Sequence, residues 1–365
     1  SGGAIFIFCR DVKVTKSTRE SDEGEYEVRI THSNFTNCKS FVEGGAICCG
    51  EVIDGKIEGD NDLVVADCYF IECESVKGGA LYFQDGTPEG DEETTINFCH
   101  FYNCFATGDT HEGYDIHCRS YRITIEDCDF RNHKRGASGS INCLLFVETN
   151  EAEIAPTINR LVFENNTGVS SLVVKTAKEL TISELTFNKI DDVSPCINLD
   201  GWSIGGSGLT LQKCIFSNIH DARCIMTTTE VGTFKATIEN SQFINNSIRK
   251  YTRGEYHSGC GSCILCHNKG NVVVTKCNFT NDISEADGGA IYAETNAIDI
   301  NNCRFESCSA ALYEENGHGG AIYLNQTSTG EFEFCVKNIF INCEASYSGG
   351  AIFIFCRDVK VTKST

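Results

Sequence analysis

Apolar residues in this chain recur as short runs in fixed register rather than at helical spacing. Eleven phenylalanines anchor one run: Phe35, Phe70, Phe101, Phe130, Phe163, Phe187, Phe216, Phe243, Phe279, Phe305 and Phe340. Five residues before each anchor stands an aliphatic: Ile30, Val65, Ile96, Ile125, Ile158, Ile182, Leu211, Ile238, Val274 and Ile300. The last unit alone places Cys335 there, with Phe332, Phe334 and Val336 out of step by one, which predicts a bulge. A third run reads Gly-Gly-Ala-Ile/Leu and is intact at residues 2–5, 44–47, 78–81, 288–291, 319–322 and 349–352. Degenerate copies put Ile116, Ile141, Leu172, Ile197, Ile225 and Ile264 in its apolar place.

Side chains alternate between the two faces of a strand, so one apolar column per run predicts three short strands per unit with a common inside. A single such coil cannot bury its inward face, and stacking like on like solves that. The Gly pair suits a tight corner. Asn dominates two residues after the anchor, at Asn37, Asn103, Asn132, Asn165, Asn218, Asn245, Asn281 and Asn342. There it tolerates left-handed backbone and can hydrogen-bond to the Asn above and below. The expected fold is all-β: a right-handed parallel β-helix of about eleven three-strand coils. Antiparallel Greek-key sandwiches, the competing architecture, do not predict three columns in one register.

Residues 1–18 recur letter for letter as 348–365, a period of 347 residues. The gaps between anchors, 24 to 36 residues with a 42-residue step into the next period, close on that number. The expected organisation is one continuous β-helix over residues 1–365, with 1–347 a full repeat and 348–365 the start of the next. Such a chain is built to continue past both ends, as a tandem array or a stacked polymer. At roughly 4.8 Å between strands, eleven coils would advance about 53 Å.

Composition agrees: 34 Gly and 23 Phe against 3 Pro and 1 Met. The net charge of −21 argues against nucleic acid and anionic membrane surfaces, and no apolar run is long enough for membrane insertion. The acidic runs 20–27 and 85–93 read as solvated loops, with a calcium site the less favoured alternative.

The pairing of Gly-Gly-Ala-Ile/Leu with Phe-x-x-Asn resembles the passenger repeats of chlamydial polymorphic membrane proteins and related β-helix repeats in protist surface proteins. Six intact copies of the glycine motif carry the likeness, which spans the chain. A strict Phe-x-x-Asn stands only at 163–166 and 243–246; elsewhere its last place holds Cys38, Cys73, Cys104, Cys308, Cys343, His133, Ile190, Ile219 or Asp282. The resemblance implies a surface-exposed, adhesive or structural β-helix.

Of the 23 Cys, 22 belong to the repeat unit. One column holds Cys38, Cys73, Cys104, Cys308 and Cys343; another, two residues before the anchor, holds Cys68, Cys99, Cys128, Cys277 and Cys303, with Cys214. Stacked positions lie within disulfide reach, so inter-coil disulfides are the leading expectation and buried thiols the next. Cys260, Cys263, Cys266 and Cys277 have spacing that can ligate an iron–sulfur cluster, but Cys263 and Cys277 already fill column positions. Five sequons, at Asn34, Asn165, Asn245, Asn278 and Asn325, are candidate glycosylation sites.

Together these features predict a non-enzymatic block of a long extracellular filament or surface stalk, adhesive or structural. Its partner is the neighbouring repeat, with a host or matrix surface second, and no cofactor is implied. The alternative is a pectate-lyase-like β-helix binding or cleaving polysaccharide, for which His100, His111, Asp115, His117 and Arg119 form the densest polar group.

Overall fold

The computed structural model describes residues 5–7, 27–49, 51–53, 56–58, 62–84, 93–107, 113–120, 122–134, 143–149, 155–175, 179–191, 195–200, 208–228, 235–249, 259–311, 317–326 and 337–355. These contain strands and no helix. The chain forms two compact units: Ser1–Ile197 with Ser203–Gly206, and Asn198–Trp202 with Ser207–Thr365. Both are parallel β-helices.

In the first unit the anchor column runs Phe35, Phe70, Phe101, Phe130, Phe163, Phe187, each paired in parallel register with the next. Their rings stack at 4.8–5.1 Å with planes within 11°. The aliphatic column Ile30–Val65–Ile96–Ile125–Ile158–Ile182 is equally in register. So is the glycine-corner column Ile5–Ile47–Leu81–Ile116–Leu145–Leu172–Ile197. Leu145 corrects the expectation of Ile141 at this level. The strand Cys143–Thr149 begins only after residues 135–142, so the surplus length lies ahead of it. Its first five residues are all buried, which hid the alternation from the sequence pattern. Among the described residues one pair is antiparallel, Glu51–Ile53 with Lys56–Glu58.

The second unit repeats the scheme: Phe216–Phe243–Phe279–Phe305–Phe340, Leu211–Ile238–Val274–Ile300 and Ile225–Ile264–Ile291–Ile322–Ile352. Its described anchor rings stack at 4.6–5.0 Å. The expected irregularity around Phe332–Val336 lies outside the described residues.

Two corners bound every anchor strand. The residue two after the anchor is left-handed in each coil, with φ of 53° at Asn37 and 57° at Asn165. So is the residue three before it, occupied by His32, Asp67, Phe98, Asp127, Arg160, Glu184, Lys213, Asn240, Lys276, Asn302 and Lys337. The second corner has no signature residue, so its backbone geometry was invisible in the sequence. A left-handed L-residue costs roughly 1–2 kcal/mol. Here the amide is compensated by a bond to the coil that follows, as in Asp67 N→Asn97 O at 3.2 Å and Asn37 N→Ile71 O at 2.9 Å. The third corner is glycine's. At Gly78 φ is +59°, and a Cβ on Gly79 would lie 2.2 Å from the Tyr114 carbonyl of the next coil, so no larger residue fits.

Candidate functional site

Each left-handed corner interrupts the in–out alternation, and the first residue after it points inward. Cys38, Cys68, Cys73, Cys99, Cys104, Cys128, Cys214, Cys277, Cys303, Cys308 and Cys343 stand there. The space behind a corner is small, and cysteine is a compact apolar side chain whose weak S–H can reach the carbonyl two residues back, beside the corner amide that this carbonyl already accepts. Cys68, Cys73, Cys99 and Cys104 each donate to the carbonyl two residues earlier. Each also reaches a carbonyl of the coil beneath: Cys73 to Phe35 O at 3.6 Å, Cys104 to Phe70 O at 3.5 Å, Cys99 to Val65 O at 3.5 Å. Cys128, Cys277, Cys303, Cys308 and Cys343 follow the same rule.

At three positions where the columns lack cysteine, an asparagine side chain makes the bond to the preceding coil. Asn166 Nδ2 donates to Phe130 O at 2.9 Å, Asn246 Nδ2 to Phe216 O at 3.3 Å, and Asn338 Nδ2 to Ile300 O at 2.7 Å. All twenty described cysteines are thiols. Vertical neighbours touch through hydrogen bonds: Cys38–Cys73–Cys104, Cys68–Cys99–Cys128, Cys277–Cys303 and Cys308–Cys343. Burial pushes Cys104 well above the usual thiol range, whereas the bond from Cys308 brings half-buried Cys343 down to about 7.

Two buried carboxyls interrupt the column three residues after the anchor or lie beside it. Asp115, fully buried, meets His133 Nε2 at 2.8 Å; His133 Nδ1 lies 3.0 Å from Asn166 Oδ1. Because Asn166 Nδ2 is committed to Phe130 O, its Oδ1 is the acceptor, and His133 donates from Nδ1. Burial raises the Asp115 pKa. In the second unit Asp282 Oδ1 accepts from Asn246 N and Nδ2, both at 3.0 Å, and burial pushes its carboxyl up to about 7.

The polar group singled out for polysaccharide chemistry does not assemble. Asp115 is interior. His117 is nearly buried and stacks between the rings of Tyr82 and Phe146 at 5.0 and 4.8 Å. Arg119 faces Glu148 at 3.4 Å on the same strand column. His100 lies on the anchor sheet, stacked on Tyr69 at 4.5 Å and bonded to Asp129; His111 lies outside the described residues. The surface group that does form is Tyr69–His100–Asp129–Arg131–Glu164, a run across neighbouring anchor strands.

Of the proposed cluster ligands, Cys263 occupies the alanine place before Ile264, and Cys277 bonds to Cys303 in its own column. Among the described residues no group of three or more His, Cys, Asp or Glu is placed to hold a metal ion. The sequons divide by position. Asn34 and Asn278 are exposed on anchor strands. Asn165 Nδ2 donates to Asn132 Oδ1 at 2.6 Å, Asn245 Oδ1 accepts from Asn281 at 3.1 Å, and Asn325 Nδ2 lies 3.4 Å from Glu294. The asparagine ladder thus occupies two of the five sites. No family model, curated protein or solved structure matches the chain.

Proposed function

We propose that this chain is a structural block of a long extracellular filament or surface stalk, made of β-helix repeats placed end to end. One observation carries the reading. The segment that recurs after 347 residues is a strand of the glycine-corner column at both occurrences, as Ile5–Ile7 and as Ile352–Phe355. The repeat therefore returns to the same place in the coil, which a stacking unit requires.

The interior supports the same role, being devoted to identical contacts from coil to coil and to satisfying corner carbonyls. The polar group that would argue for polysaccharide cleavage is split between interior and surface. The exposed Asn34 and Asn278 sequons suit an extracellular setting. The likeness to bacterial and protist surface repeats belongs to this reading.

Imaging of assembled protein should give an axial repeat near 53 Å, eleven strand spacings of about 4.8 Å. A repeat well away from that length, or protein that stays monomeric at every concentration, would sink the proposal.

A further inference from the structure

The two copies of the recurring segment use different edges. Ile5–Ile7 pairs with a later coil, in the register Ile5↔Ile47, Phe6↔Cys48 and Ile7↔Cys49. Ile352–Phe355 pairs with an earlier coil, in the register Ile352↔Ile322, Phe353↔Tyr323 and Ile354↔Leu324. Because the sequences are identical, the backbone edge that Ile5–Ile7 offers to Ile47–Cys49 is also available in Ile352–Phe355. The strand is a joint with one edge for each neighbour.

We infer that the partner at this joint is a second copy of the repeat, seated with Phe340 on Phe35, Asn342 on Asn37, Cys343 on Cys38 and Glu344 on Lys39. This rests on the filament reading and specifies its contact. Once Ile352 takes the place of Ile5 beneath the second copy's Ile47, the register of every other column follows.

The two coils match residue by residue. Phe340 is stacked on Phe305 at 5.0 Å and Phe35 on Phe70 at 5.1 Å, and Phe340 on Phe35 would continue the same ring column. Asn342 and Asn37 are left-handed with φ of 52° and 53°. Cys343 and Cys38 are half-buried, whereas Cys73, Cys104 and Cys308 inside the same column are buried. Cys38 has its own-coil bond to Thr36 O, and in this seating Phe340 O of the second copy takes the place that Phe35 O holds beneath Cys73. Lys39 already holds Glu74 at 2.7 Å, and Glu344 beneath it continues an alternating ladder of charge.

The chain as it stands carries the joint strand twice, so residues 1–18 compete with a second copy for the Ile47–Cys49 edge. Deleting residues 1–18 removes the competitor. The deleted chain is expected to form multimers that yield a Cys343–Cys38 disulfide on copper–phenanthroline oxidation, mapped by mass spectrometry. A peptide of residues 1–18 should suppress that link at least tenfold by occupying the edge. Multimers that link through other cysteines would overturn the register and leave the filament standing. A folded deletion variant that stays monomeric would overturn both. Should that variant not fold, the intact chain at high concentration gives the same readout. There E344K should lower the Cys343–Cys38 yield, and mixing it with K39E should restore it; a yield indifferent to both would overturn the seating.

Discussion

At the residue scale the cysteines change meaning. Read as letters, they suggested cross-links; in place, they are donors to carbonyls that the corners expose. Asn166 and Asn246 in one column and Asn338 in the other make the same bond to a carbonyl of the preceding coil. Cys104→Ser keeps the side-chain donor to Phe70 O and Tyr102 O, whereas Cys104→Ala removes it and leaves Tyr102 O with only its backbone bond from Glu72 N. The alanine variant should lose about 1–2 kcal/mol more stability than serine in urea unfolding. Equal losses, with a titration of the unreduced, denatured chain falling short of 23 thiols, would restore the disulfide reading. Asp282 makes a second residue-scale prediction. Burial raises its folded pKa to about 7 from an ordinary 3.8, so the folded state holds the proton more tightly than the unfolded state. The resulting stability is fully present below pH about 4 and is lost as pH rises through 7. Asp282→Asn keeps the acceptor for Asn246 and removes the ionisation. It should raise stability at pH 8 by about 2–4 kcal/mol relative to wild type and leave pH 4 nearly unchanged. A wild-type difference between the two pH values that persists in the variant would exclude Asp282 as its source.

At the element scale the unit is the anchor arc, from the aliphatic through the first corner, the Phe strand and the second corner. Phe130, fully buried between Phe101 and Phe163, should cost about 3–5 kcal/mol on truncation to alanine. Asn132 tests the corner separately, since Gly and Val both delete its ladder bond from Asn165. Asn132→Val should cost about 1–2 kcal/mol more than Asn132→Gly, because only Val resists left-handed backbone. Equal urea midpoints would mean the corner carries no such constraint. The arc was largely legible in the sequence because its spacing is constant and its inward residues are large. The corner three before the anchor was not legible, because backbone bonding rather than side-chain identity sets it. Leu145 was misread as Ile141 because loop length ahead of the glycine corner is free to vary.

At the scale of the whole molecule, periodicity revealed the fold and misjudged chemistry. Columns show which residues share a level, but not whether a polar residue beside a corner turns inward. Asp115 and His133 lie in different coils and different runs, so their contact has no trace in spacing. His117 sits on a strand flanked by aromatic neighbours at the same level, Tyr82 and Phe146, but placing Ile141 where Leu145 belongs took Phe146 off that level in the column alignment.

One property of the corners bears on growth. In both units the left-handed amides donate to the coil that follows, while the cysteine thiols donate to the coil that precedes. A stack of such coils has polarity. Its two faces differ in chemistry, so in the proposed filament copies would add head to tail. That makes the contact heterologous, the class that gives open fibres when no rotation closes it into a ring. A fibre of this protein would have a distinguishable front and back, with separate rates of addition at each.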